Sequence, residues 1–147
     1  MEQTIQQPFT TSVTYAGFWV RASAFIADLL IAGALSGITS RVLLGNYYLA
    51  DDPDGFQWPG IVFLIVNWLY FSLQESSARQ ATIGKLSAGI KVCTENYERL
   101  SFANATGRFF AKILSAAVLF TGFIMVAFND KKRGLHDRIS KTFVIYR

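Results

Sequence analysis

Apolar residues along this chain are grouped in long blocks, not in the short alternations of a soluble fold. One block runs from about Phe18 to Leu44, a second from Phe56 to Leu73 and a third from Phe109 to Phe128. Crossing a bilayer takes roughly 20 helical residues, so the first block is long enough to span with tilt and the others come close. The stretch after Glu75 has a different rhythm. Ile90 and Val92 alternate with Lys91 and Cys93, and Leu100 and Phe102 flank Ser101. That pattern predicts a strand over Gly89–Cys93, a turn at Glu95-Asn96 with Asn96 suited to positive φ, and a return strand. Thr142–Tyr146 predicts another strand, and Met1–Thr14 a flexible polar tail. The expected fold is therefore an all-α membrane protein over residues 15–147. It has two to three transmembrane helices (18–44, 56–73 and 109–128, the last alternatively a re-entrant hairpin) and a small cytoplasmic β element.

The flanks of the blocks support this reading. Tyr15–Trp19 supplies an interfacial aromatic belt, and Trp58, Trp68 and Tyr70 do the same for the second block. Pro59 is tolerated in a first helical turn. Only 16% of the 147 residues are charged, against about 25% in soluble domains. The net charge of +4 is uneven: Lys and Arg collect in Arg79–Lys112 and Lys131–Arg147, while Asp51, Asp52 and Asp54 lie between the first two blocks. Positive-inside bias explains that distribution better than nucleic-acid binding, and it places the N-terminus in the cytoplasm of a multi-pass protein of the cytoplasmic (inner) membrane. The first 18 residues carry no Lys or Arg and do not resemble a signal peptide, so no cleavage is expected.

A conflict concerns the third block. One full crossing there would carry the basic tail outside, whereas a hairpin bent at Thr121-Gly122 would keep both basic segments in the cytoplasm. Twenty residues suit one crossing; the charges favour the hairpin.

Candidate chemistry starts with Asp28, in the middle of the first block. A carboxylate at that depth costs roughly 2.5–3.5 kcal/mol on insertion scales, so it should face protein or water and marks a functional position. Arg21 lies seven residues earlier, about 10 Å along a helix axis. The two can line one polar groove, or each can pair with another segment. Asn67 in the second block reads as an interhelical hydrogen bond before a solute contact. His136 is the only histidine and Cys93 the only cysteine, which leaves neither a histidine-rich metal site nor a disulfide. Asp137 reads as a cap or ion-pair partner rather than half of a relay with His136. Gly84-Lys85 lacks the spacing of a phosphate loop and reads as a helix start with Lys85 near headgroups. Lys85, Lys91 and Arg99 could hold anionic lipid at the cytoplasmic face.

The order of these features resembles the RDD family of small integral membrane proteins. It runs from an aromatic-led first span with Arg21 and Asp28, through Thr82-Ile83-Gly84-Lys85 and Gly89-Ile90-Lys91-Val92, to Arg108 before the third block. Arg133-Gly134-Leu135-His136-Asp137 and a closing Thr-x-Val-Ile strand complete it. The resemblance covers Ala16 to Ile145 and matches Arg21 and Asp28 to the family's arginine and first aspartate, with Asp137 as the second. It departs where the family has Gly-Gln-Thr before its Gly-Lys and this chain Arg79-Gln80-Ala81-Thr82, and where a Gly precedes the last strand's Thr and this chain has Lys141. It implies a membrane-embedded helical fold and a suspected role in transport.

The expectation that follows is a transporter or channel-like protein for ions or small solutes. Arg21, Asp28 and Asp137 would form its polar signature, supported by Asn67, Gly84, Lys85, Arg108, Gly134 and His136. So few spans cannot enclose a path, so a homo-oligomer is implied. The alternative is a non-transporting assembly or regulatory protein that binds a partner or anionic lipid. An enzyme is not expected, and neither is a cofactor, because no nucleophile–base pair, zinc motif or paired carboxylate stands out.

Overall fold

The structure, a computed structural model, describes residues 13–45, 58–117 and 134–147. Helix α1 spans Phe18–Leu44 and stops at Gly45, whose left-handed φ of 72° lets its N–H bond back to the Arg41 carbonyl. The buried side of α1 carries Ala24, Asp28, Ala32, Ser36 and Ser40, one residue at every fourth position. Its outward side carries exposed Trp19, Ile26, Leu30, Ile38 and Val42. A helix in water shows the opposite pattern, apolar inside and polar outside. Here small and polar side chains face protein, as helix contacts in lipid favour.

Helix α2, Trp58–Glu75, packs on this small-residue stripe. Asn67 donates from Nδ2 to Ser36 Oγ (3.1 Å) and to the Phe63 carbonyl (2.8 Å), so it holds α1 and α2 together as expected. The remaining elements are α3 (Ile83–Ser87), β1 (Ile90–Thr94), α4 (Phe102–Ala117), α5 (Leu135–Ile139) and β2 (Thr142–Tyr146). Strands β1 and β2 pair antiparallel, Ile90 opposite Tyr146 and Thr94 opposite Thr142. The chain entering α1 joins the same sheet: Tyr15 bridges Ile145, and Ala16 N–H donates to the Val144 carbonyl at 2.9 Å. One apolar core joins Ala16, Ala24, Ile90, Val92, Leu100 and Val144; a second joins Ala32, Tyr70, Phe71 and Phe109.

Several expectations need correction. The return strand at Leu100–Phe102 does not form, because Ser101 caps α4: its Oγ accepts from Asn104 N–H at 3.1 Å and its carbonyl accepts from Ala105 N–H at 3.0 Å. The partner of β1 is the C-terminal strand instead. Positive φ at the turn falls on Tyr97 (62°), not Asn96. Helix α2 ends two residues later than the predicted 56–73, whose first two residues lie outside the described ones. Helix α4 begins seven residues before the predicted 109, and 118–128 lie outside the described residues, as do 1–12 of the predicted tail and 46–57. Among the described residues one helix, α1, is long and apolar enough to cross a membrane.

Candidate functional site

Where α1, α2 and α3 meet, Asp28 is fully buried. Its Oδ1 accepts from the Tyr70 hydroxyl (2.9 Å) and the Gly84 backbone N–H (2.7 Å), and its Oδ2 accepts from the Thr82 hydroxyl (2.5 Å). Thr82 and Gly84 belong to the opening turn of α3, so Asp28 does the work of an N-cap from a different helix. This geometry explains Thr82-Ile83-Gly84. A Cβ on Gly84 would lie 2.3 Å from the Ala24 carbonyl oxygen and 2.9 Å from Asp28 Cγ, so only glycine lets α3 sit against α1.

A second set of charges lies where α2, α3, α4 and α5 converge. Glu75, 1% exposed, takes Lys112 Nζ at 3.0 Å and Lys85 Nζ on one oxygen, and Arg108 Nη1 at 3.2 Å on the other. Arg108 then reaches Asp137 Oδ1 at 2.7 Å through Nη2. Asp137 Oδ2 accepts from Arg21 Nη1 at 2.5 Å and from the Gly134 N–H at 3.2 Å, which starts α5. Arg21 completes the frame by donating to the carbonyls of Ala16 (3.0 Å) and Val144 (3.4 Å). One chain of ion pairs thus joins the five described helices, and Arg21 ties it to the sheet through the Val144 carbonyl. Four cations face two carboxylates in it, an excess of two positive charges among the described residues.

Titration follows from this arrangement. Burial raises Asp137, but Arg108, Arg21 and the Gly134 N–H outweigh it and hold the carboxyl well below its usual range. Burial brings His136 down to about 3, against the pull of Asp137, so the imidazole stays neutral. Burial also brings Lys85 down to about 7, opposed by Glu75 and reinforced by Lys112 and Arg108. Cys93 is buried, and burial raises its thiol.

A cavity of about 240 Å³ opens beside the cluster. Phe18, Arg21, Ala22, Phe25 and Ile26 of α1 line it together with Lys85, Arg108 and Lys112. His136 and Val144 also line it. Much of the cationic lining is side-chain stem, since the charged heads turn towards Glu75 and Asp137.

The sequence-predicted residues are therefore divided. Arg21, Lys85, Arg108, Gly134, His136 and Asp137 come together around the ionic frame; Asp28 and Gly84 form a separate lock, and Asn67 lies in the α1–α2 contact. Arg21 and Asp28 do not share a groove; each pairs with another segment. Lys85 starts a helix as expected but is 8% exposed and turned onto Glu75, not towards headgroups. Arg99 donates to the Ser76 carbonyl at 2.6 Å. His136 Nε2 lies 3.5 Å from Asp137 Oδ1 despite being its neighbour, because Asp137 folds back onto Gly134. Sequence reasoning missed Glu75 and Lys112. The signal available was an acid ending one apolar run and a lysine interrupting the next.

Comparison with known proteins bears on the whole of this arrangement. The profile of the RDD family matches residues 15–141. Three Bacillus subtilis (strain 168) proteins are similar in sequence. The uncharacterized protein YxaI is 36% identical over 90% of this chain and 97% of its own length. The uncharacterized membrane protein YteJ is 32% identical over 90% and 81%, and the uncharacterized protein YckC 30% identical over 89% and 84%. No solved structure matches.

Proposed function

We propose, from the premise that this chain belongs to the RDD family, that it is a multi-pass protein of the cytoplasmic membrane that binds anions in the cavity beside its buried cations. The observation that carries this reading is that, among the described residues, four cations at 2–13% side-chain exposure, one of them the Lys85 brought down to about 7, face two carboxylates beside an open cavity. Buried charge without a counter-charge is costly, and an anion is the natural complement. The inverted burial of α1 supports the membrane setting, as does a relative named as a membrane protein.

The pairing of β1 with β2 supports a reading with both strands on one side of the membrane, and with α1 and the shorter α2 beside it as the two crossings. The charge rule puts that side in the cytoplasm. Two crossings cannot enclose a path, so transport of small anions requires a homo-oligomer.

The test is flux into proteoliposomes. Anions are expected to move in preference to cations, and Lys112→Gln, which removes one lining charge, to slow them. Cation flux indifferent to Lys112→Gln defeats the proposal. A second reading, assembly or regulation without transport, draws on the saturation of Asp28 by three donors. It expects Asp28→Asn to alter folding yield and leave any flux unchanged.

A further inference from the structure

We propose that the occupant of the cavity is an acidic phospholipid entering sideways from the bilayer, its phosphate at the cationic end and its acyl chain along α1. This rests on the anion-binding reading above and names the class of anion. Phe18, Ala22, Phe25 and Ile26 repeat at helical spacing on one face of α1 and extend for about 12 Å along its axis. Ile26 is 59% exposed, and the apolar surface continues outward to Leu30, 72% exposed. The apolar cavity residues of α1 are thus followed along the helix by further exposed apolar side chains.

The charged residues that line the cavity have the complementary chemistry. Stems of Arg21, Lys85 and Lys112 present carbon to the cavity while their heads gather at two carboxylates too few to balance them. An acyl chain ending in an anion satisfies both the apolar lining and the charge. Arg108 gives an independent sign. Its side chain is 2% exposed and lines the cavity, yet its Nε has no hydrogen-bond acceptor among the described residues. Buried donors of that kind call for a partner. Size fits as well: about 240 Å³ is smaller than the roughly 300–1,000 Å³ of sites that enclose whole drug-sized molecules. It has room for a headgroup and the start of a chain, with the rest in hydrocarbon.

The experiment titrates the delipidated full-length protein in detergent with phosphatidylglycerol, phosphatidylcholine or soluble glycerol phosphate, reading retained ligand by native mass spectrometry. Phosphatidylglycerol is expected to be retained about tenfold better than phosphatidylcholine, as one charge-assisted contact provides. Ala22→Trp, which fills the cavity without touching an ion pair, abolishes retention, while unfolding in phosphatidylcholine nanodiscs shows that it still folds. Should that variant fail to fold, Ile26→Cys carrying a benzophenone probe at the exposed mouth is expected to cross-link phosphatidylglycerol; Cys93, being buried, does not compete. Equal retention of the two lipids, or no cross-link, overturns the proposal. If glycerol phosphate competes as well as the lipid, the lipid assignment falls and the anion reading survives. If neither anion binds, both fall.

Discussion

Replacing Glu75 by Gln is the sharpest perturbation of this fold. The side chain is 1% exposed and receives Lys85, Lys112 at 3.0 Å and Arg108 at 3.2 Å. An amide of the same shape can still accept hydrogen bonds but carries no charge, which leaves four cations facing Asp137 alone. Removing one partner from a buried ion network typically costs about 3–5 kcal/mol, because the remaining charges have been taken out of water without compensation. Lys85, already brought down to about 7, is the cation best able to shed a proton in response, so the lower half of that range is expected, about 3–4 kcal/mol. Unfolding would be followed by denaturant or heat in nanodiscs. The double variant Glu75→Gln/Lys85→Met returns the excess to two positive charges and should recover roughly half of the loss, a coupling of about 1.5–2 kcal/mol. Glu98→Gln, on an exposed residue, serves as the control and should leave unfolding unchanged. If Glu75→Gln unfolds like its parent, or if Lys85→Met adds to the damage instead of relieving it, the charge-balance argument is wrong.

Other consequences can be measured separately. Gly84→Ala should destabilise by about 3 kcal/mol and more than Asp28→Asn at about 1–3 kcal/mol, because the new Cβ meets a backbone carbonyl at 2.3 Å whereas an amide keeps one acceptor for Gly84; equal effects in unfolding assays would refute this. Lys141→Gly should stabilise by about 0.5–1 kcal/mol by relieving a left-handed φ of 50°, while Gln80→Gly, at φ 53°, should bring no gain because it loses bonds to the Val92 and Glu98 carbonyls. His136 sits neutral among Asp137, Arg108, Lys112 and Arg21 with its folded pKa at about 3, below the unfolded value. Its contribution is complete above about pH 6.5 and is lost as pH falls from there towards 3, amounting to about 2 kcal/mol by pH 5; His136→Phe should flatten that decline in pH-dependent unfolding. Finally, Asn96→Cys and Arg147→Cys should be equally shielded from an impermeant maleimide in intact cells, since both flank the paired strands; labelling of one alone would contradict the sheet.

Much of the frame is legible in sequence, and the failures have physical causes. Asp28 stands out because a carboxylate in an apolar run has few tolerable environments. Thr142–Tyr146 stands out because five strand-forming residues follow a turn. Leu100-Ser101-Phe102 misleads because alternation over three residues also fits a capped helix start, and Ser101 is the better guide. Glu75 escapes because its role is made by residues 10, 33 and 37 positions away, none of which forms a local pattern with it. The two departures from the family pattern explain themselves only in three dimensions. Lys141 stands where that pattern has glycine, and both it and Gln80, in the other departing segment, adopt the left-handed conformation that glycine reaches without strain.

The arginine and two aspartates that give the family its name do not form one site here; they make two locks on the same helix. Asp28 fastens α3 through the Thr82 hydroxyl and the Gly84 N–H and α2 through the Tyr70 hydroxyl, and Arg21 with Asp137 fastens α5 and β2. Ala22, Phe25 and Ile26, the cavity wall, lie between these two points in sequence and on the α1 surface. A lock made by neutral donors and a lock made by ion pairs respond differently to perturbation. Neutralising Asp28 should loosen α3 whatever the lipid, whereas occupancy of the cavity should matter only to the cationic frame. An acidic lipid should then relieve variants with surplus positive charge, Glu75→Gln above all, and give Asp28→Asn no protection. If the lipid protects both variants alike, the two locks are one cooperative unit and the cavity has no separate role.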